Sequence, residues 1–158
     1  MTEIRAGEPA DLDRLREIQQ AALDEPWEKL LETAANGPLS LLVLVESEPV
    51  GYAILIPGPE GDAYVPEFAI DPARHREGLG TKLLQGLCED VAEDGFDRVL
   101  LTAQASDTGA QRFYRENGFE PVERLPDEYE SGDGIRFVRS FHGGREDSKD
   151  CDSSQSTS

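Results

Sequence analysis

Apolar residues recur along this chain in two alternating rhythms, and each rhythm predicts an element. Thr2-Glu3-Ile4-Arg5 predicts a short first strand. Beyond Pro9, the residues Leu12, Leu15, Ile18 and Ala22 recur at helical spacing, and Glu25-Pro26 ends that helix. Trp27, Leu30, Leu31 and Ala34 predict a second helix, closed by Asn36-Gly37-Pro38. Continuous apolar runs over Leu41 to Val45 and Val50 to Ile56 predict two strands joined by a tight turn at Ser47-Glu48-Pro49. Ala63 to Ile70 predicts a fourth strand. The stripe Leu79, Leu83, Leu84, Leu87, Cys88 and Val91 marks one face of a longer helix. A fifth strand follows from Arg98 to Ala103, then a short helix over 108–117 with Gly118 as its C-terminal cap. Two last strands are expected near Phe119 to Arg124 and Gly134 to Phe141. The order β-α-α-β-β-β-α-β-α-β-β describes an α/β (α+β) domain over residues 1–142. Residues 143–158 are rich in Ser and Asp without apolar anchors, and a disordered tail is expected there.

Length and cysteine usage narrow this picture only slightly. A chain of 158 residues can bury one sizeable core. It contains no run of about 18 apolar residues, and its polar N-terminus has no signal-peptide pattern, so a cytoplasmic location and no membrane association are expected. Cys88 falls on an apolar helix face and reads as a core thiol. Cys151 falls in the polar tail, so no structural disulfide is expected.

Charge changes the picture more. Fifteen basic residues against 33 acidic ones give a net charge of −18. Such a surface disfavours nucleic acid and anionic membranes as partners. The acids are spread along the chain rather than clustered. That fits an acidic, halophile-like protein whose whole surface is adapted to a high-salt cytoplasm, where charges are screened within about 3 Å at 1 M salt. Attraction of a cationic substrate is the alternative reading.

The candidate chemistry begins at the segment Asp71-Pro72-Ala73-Arg74-His75-Arg76-Glu77-Gly78-Leu79-Gly80-Thr81-Lys82, where a strand ends, a glycine-containing loop follows and a helix starts. A helix start carries unpaired N–H groups and partial positive charge, and glycine lets a bulky phosphate approach the backbone. The segment is neither a Rossmann fingerprint, which needs a glycine where Leu83 stands, nor a Walker A loop, because Thr81 and Lys82 follow Gly80 in the wrong order. About 30 residues further on stands Asp107-Thr108-Gly109-Ala110-Gln111-Arg112-Phe113-Tyr114-Arg115-Glu116-Asn117-Gly118-Phe119. Together the two segments resemble the GNAT superfamily of acetyl-CoA-dependent N-acetyltransferases. That family carries (Gln/Arg)-x-x-Gly-x-(Gly/Ala) at its pyrophosphate loop, then Asn-x-x-Ala, Phe or Leu followed by Tyr, and Gly-Phe. The resemblance covers residues 2 to about 142.

The resemblance implies a mixed, mostly antiparallel sheet of about seven strands flanked by about four helices. It also implies roles for individual residues. Main-chain N–H groups across Arg76, Glu77, Gly78, Leu79, Gly80 and Thr81 would face a pyrophosphate, with His75 in the position the family fills with Gln or Arg. Glu77 places an anion in that loop, and Arg74 and Arg76 flank it. Phe68, Ala69 and Ile70 match the strand whose open edge pairs with the pantetheine amides, and the Phe68 N–H would polarise the thioester carbonyl. Tyr114 matches the tyrosine that protonates the departing thiolate. Asp107 stands where the family has Asn, and either caps the short helix or touches the pantetheine arm.

Proton removal from the amine is less clearly marked. A free alkylamine is mostly protonated at neutral pH and must lose a proton before it attacks. The fifth-strand position that some family members fill with Glu is Thr102 here, which cannot titrate. Glu67, beside Phe68, is the best remaining carboxylate and could act through a water; a solvent-facing acid on a strand is the alternative, and the favoured one. Acceptor selection is expected from the region between the first two helices and from the loop between the last two strands. Trp27 and Tyr129 are the candidate contacts, with a core anchor as the other reading of Trp27. The acceptor is expected to be a protein or peptide N-terminus or a small amine, taken up by a monomer or homodimer. No metal-ligand spacing occurs. A domain that senses acyl-CoA without turnover is the rival reading.

Overall fold

The computed structural model describes residues 2–23, 25–37, 39–74 and 78–141. Seven strands form one sheet: β1 (Glu3–Ala6), β2 (Ser40–Val45), β3 (Pro49–Pro57), β4 (Asp62–Ile70), β5 (Arg98–Gln104), β6 (Glu120–Tyr129) and β7 (Gly132–Ser140). Four helices accompany them: α1 (Leu12–Ala22), α2 (Glu28–Ala35), α3 (Leu79–Glu93) and α4 (Thr108–Glu116). The sheet order is β1-β2-β3-β4-β5-β7-β6, antiparallel throughout except for the parallel β4–β5 pair. The expected element order and mixed sheet are found as the sequence predicts. The tail over 143–158, with Cys151, lies outside the described residues.

Strand alternation sends side chains to two separate cores. On one face, Leu44, Ala53, Val65, Val99 and Leu101 pack with Leu83, Leu84, Leu87, Cys88 and Val91 of α3. On the other, Val43, Tyr52, Ile54 and Ala69 pack with Leu15 and Ile18 of α1 and Leu30, Leu31 and Ala34 of α2. Burial raises the Cys88 thiol to about 11, which keeps it protonated and inert. No helix among the described residues is long and apolar enough to cross a membrane.

One irregularity positions the site. The parallel ladder runs from Asp62↔Arg98 to Val65↔Leu101 and stops there, although β4 continues to Ile70 and β5 to Gln104. The next residue on β4 is Pro66, which has no N–H to offer a ladder. Pairing with β3 slips at the same level, between Ile54↔Glu67 and Ile56↔Tyr64, so β4 carries a bulge that bends it away from β5. The closed end of the resulting wedge is held by Arg98, whose Nε and Nη2 donate to the buried Asp62 carboxylate at 2.8 and 2.9 Å.

The last hairpin departs from the sequence reading. β6 extends to Tyr129 rather than ending near Arg124, and only Glu130 and Ser131 connect it to β7. The residues expected to form a loop are therefore strand and tight turn. The Asp133 carboxylate makes this possible by accepting from Arg124 Nε at 2.8 Å and from the Asp127 N–H at 3.0 Å, in place of ladder bonds where the register shifts. β7 must pass close to its neighbours here. A Cβ on Gly134 would meet Thr102 Cγ2 at 3.0 Å and Glu128 Cβ at 3.1 Å.

Candidate active site

Where β4 and β5 diverge, a cleft of about 1010 Å³ crosses the sheet. Val65 to Ile70, Thr102 to Gln104, the start of α3, α4, the α1–α2 connection and the tip of the β6–β7 hairpin all line it. That volume lies at the upper end for small-molecule sites and has room for an elongated ligand.

The side of the cleft toward α3 is built mainly from backbone. Asp71 donates its N–H to the Val50 carbonyl at 2.8 Å, so alternate N–H groups face β3, and those of Phe68 and Ile70 face the cleft. Phe68 and Ile70 nevertheless pack their side chains against the α3 core, while Ala69 is buried in the core on the α1–α2 face. At the mouth of α3, Gly78 takes the left-handed conformation at φ 77° and ψ 10°. This is a conformation that glycine adopts without penalty, and Leu79, Gly80 and Thr81 follow it into the helix. Gly80 also admits α4, because a Cβ there would sit 3.2 Å from Phe113 Cζ. His75, Arg76 and Glu77, the remaining candidates of the loop, lie outside the described residues. The preceding turn is fixed from α1: Arg14 Nη2 donates to Asp71 at 2.7 Å and Arg14 Nε to the Pro49 carbonyl at 3.0 Å.

Two residues of the second motif join this side. Asp107 accepts from the Ala110 N–H at 3.0 Å and so caps α4, and it also lines the cleft. Tyr114 is 8% exposed, with the rings of Phe113, Phe119 and Phe137 at centroid distances of 5.7, 6.1 and 5.6 Å. Its hydroxyl has no hydrogen-bond partner among the described residues, and the residue lines the cleft. Burial, and secondarily the nearby Tyr129 and Asp107, push the phenol well above its ordinary value. It is a proton donor across the physiological range.

The opposite side is built from side chains. Glu67 is buried at 6% exposure, which overturns the solvent-facing reading. Strand alternation turns it toward α1 and α2, where Gln19 Nε2 and the Tyr52 hydroxyl donate to Oε1 at 2.8 and 2.9 Å, and the Trp27 N–H donates to Oε2 at 2.7 Å. A carboxylate offers about four acceptor positions, so one on Oε2 is left for a further donor. The Tyr52 hydroxyl, desolvated and facing this carboxylate, is driven far above its ordinary value and stays protonated. Trp27 is 57% exposed, so it is a wall of the cleft and not a core anchor. Tyr129 stands on the hairpin side, half-buried, its hydroxyl at a long 3.5 Å from the Thr102 carbonyl and pushed up to about 12 by desolvation and by neighbouring acids.

Gln19 and Tyr52 were not among the sequence candidates. Gln19 carried a signal: it interrupts the apolar stripe of α1 between Leu15 and Ala22 and is fully buried. Among the described residues, no group of three or more His, Cys, Asp or Glu side chains is arranged to hold a metal ion.

The family model for the Acetyltransferase (GNAT) family matches residues 10–119, which include the cleft walls on β4, α3 and α4. The chain belongs to that family. It is 31% identical over 128 residues to the [ribosomal protein bS18]-alanine N-acetyltransferase of Haemophilus ducreyi, covering 80% of this chain and 88% of that protein. The crystal structure of the ribosomal-protein-S18-alanine N-acetyltransferase from Escherichia coli superposes with a TM-score of 0.80 at 25% identity, over 89% of this chain and 94% of that one. A Bacillus subtilis acetyltransferase solved in complex with CoA shares the fold, with a TM-score of 0.79 at 15% identity over 90% of this chain and all of that one. This GNAT chain is an N-acetyltransferase by family, and its cleft has one edge of main-chain donors and one pocket of acids and aromatics.

Proposed function

We propose that this GNAT enzyme transfers the acetyl group of acetyl-CoA to a primary amine, by direct attack within a ternary complex. The observation that carries the reading is the β4–β5 divergence, which presents the Phe68 and Ile70 N–H groups to the same cleft that holds the free Tyr114 hydroxyl. The residues present fit an elongated thioester. Phe68, Ala69 and Ile70 would pair with amides along its arm, and Gly78, Leu79, Gly80 and Thr81 would face its diphosphate with N–H groups at a helix start. His75, Arg76 and Glu77 complete the proposed loop. Asp107 would border the arm while capping α4.

The thioester supplies an activated acyl carbon. The Phe68 N–H would polarise its carbonyl, as an oxyanion-hole donor does. Glu67 would take the proton of the incoming ammonium through a water held at its remaining acceptor position. As the C–N bond forms and the C–S bond breaks, Tyr114 would deliver its proton to the departing sulfur. The second proton of the new C–N nitrogen would leave to restore the phenol, so that the net proton released is the one taken by Glu67. Neither candidate group needs to form a covalent bond to the acyl carbon.

The acceptor favoured is a protein or peptide N-terminus. The relative at 31% identity is named for the alanine of a ribosomal protein, and Trp27 and Tyr129 offer aromatic walls at the acceptor side of the cleft. Titration calorimetry with acetyl-CoA, followed by thiol release with a peptide beginning in alanine, tests both halves. Heat of binding together with acceptor-dependent thiol release is expected. Binding without release to any peptide or small amine would leave an acyl-CoA sensor, and no binding would end the proposal.

A further inference from the structure

The α1–α2 connection is tied to the sheet at two points, and the second tie has no part in the chemistry above. The Glu25 carboxylate accepts from the Glu130 N–H through Oε1 at 3.1 Å and from the Ser131 N–H through Oε2 at 3.2 Å. These are the two residues of the hairpin turn, enclosed by the pair Tyr129↔Gly132, so their N–H groups lie beyond the last ladder pair. Both oxygens of one carboxylate thus cover both free donors of a turn 105 residues away in the chain. Hydrogen bonding from the Glu130 N–H, and then from the side chain and N–H of Ser131, draws the Glu25 carboxyl below its ordinary value.

The segment between the two ties is short and stiff. Glu25 is held by the hairpin, Pro26 has a fixed φ, and the Trp27 N–H is held by Glu67 on β4. The connection therefore runs as a strap from β4 to the tip of β6–β7, with exposed Trp27 on one side of the opening and Tyr129 on the other. We propose that Glu25 is a positioning residue for the acceptor: by clasping the hairpin tip it fixes the width of the opening between Trp27 and Tyr129. The proposal rests on the acetyltransferase reading, since it assigns the acceptor entrance of that same cleft. Hydrogen bonds to a charged acceptor are the stronger kind, and two in parallel add directional control. Among the described residues, these two main-chain hydrogen bonds join the strap to the hairpin turn.

The full-length enzyme with Glu25→Ala and Glu25→Gln tests this by two independent measurements. Amide hydrogen exchange followed by NMR reads the clasp itself, without turnover. Glu130 and Ser131 are expected to exchange about tenfold faster in Glu25→Ala, with intermediate rates in Glu25→Gln, whose single amide oxygen can still accept. Steady-state kinetics with an alanine-initiated peptide reads its consequence: an acceptor KM raised about fivefold in Glu25→Ala, partly restored in Glu25→Gln, with KM for acetyl-CoA and melting temperature unchanged. A role limited to stability would instead lower the melting temperature and leave the acceptor KM alone, which overturns the proposal. Unchanged exchange at both amides in Glu25→Ala overturns the clasp while the enzyme assignment stands. A wild type that acetylates nothing, with exchange still altered by Glu25→Ala, overturns the function above and the acceptor role together.

Discussion

The two sides of the cleft are made of different material. Toward α3 the working groups are main-chain: the N–H groups of Phe68 and Ile70 on the freed edge of β4, and those at the Gly78–Thr81 helix start. Toward α1 and α2 they are side chains: Glu67 with its three donors, exposed Trp27, and Tyr129. A backbone site demands a path of the chain and only a few residue identities, chiefly glycine and proline. A side-chain site demands that residues far apart in sequence converge. On the proposed function, the first would hold one ligand class across diverging sequences, while the second would be where acceptor choice changes. Tyr114 sits where the two sides meet, which makes it the sharpest test of the division.

Tyr114→Phe has the largest expected effect. The ring contacts with Phe113, Phe119 and Phe137 survive the change, and the hydroxyl that is lost has no hydrogen-bond partner among the described residues, so folding should be preserved. If the phenol delivers the proton to sulfur, kcat falls about 100-fold while acetyl-CoA affinity is unchanged. A kcat within twofold of wild type, measured by thiol release, would remove Tyr114 from the chemistry and return it to the core.

Glu67→Gln probes the side-chain wall and should cost less, roughly tenfold in kcat, because a water can still reach the amine. Two of the three hydrogen bonds can persist at the amide oxygen, whereas the amide NH2 would face the Trp27 N–H donor to donor. Proton removal and wall-building are separated by which kinetic constant moves. A base role predicts a lowered kcat with the acceptor KM little changed. A wall role alone predicts a raised acceptor KM with kcat intact, an outcome that would strip Glu67 of its catalytic assignment.

The same division explains what the sequence discloses. Nearly every element is legible from hydrophobic rhythm, since α1, α2 and α3 carry stripes and β2, β3 and β5 carry apolar runs. The backbone side of the cleft is legible in part, because Gly78 and Gly80 mark a path without needing partners, whereas the break that Pro66 makes in the β4–β5 ladder is not read from the run Ala63 to Ile70. β6 is not, because it is an edge strand exposed along nearly its whole length, so no alternation marks it beyond Arg124. The surroundings of Glu67 are equally hidden: its donors come from positions 19, 27 and 52, and no local pattern brings those together. Only the polar Gln19 on an apolar helix face hints that a buried partner exists. Trp27 leaves two readings open, a cleft contact or a core anchor, and only its exposure beside the cleft decides between them.

The smallest expected effect belongs to the tie that joins the two sides. Arg14 on α1 grips Asp71 at the end of β4, where the chain leaves toward α3. The Arg14 hydrogen bond, aided by the Ala73 N–H, holds the Asp71 carboxyl below its ordinary value, and Arg5 does the same for Asp11 at the start of α1. A carboxyl depressed in the folded state stabilises the fold above its unfolded pKa of about 3.9, and loses that contribution as pH falls toward the lower folded value. The direct pH dependence of melting would mix this with relief of repulsion among 33 acids, which acts in the opposite direction. The difference between wild type and Asp71→Asn cancels the shared part. With an ion pair worth about 1 kcal/mol, the variant should melt roughly 4 °C lower at pH 7, and the gap should shrink as pH falls below about 4. A gap that stayed constant down to pH 3 would mean that the Arg14–Asp71 contact stabilises by shape alone. The charge linking α1 to the end of β4 would then contribute nothing to holding the two sides of the cleft in register.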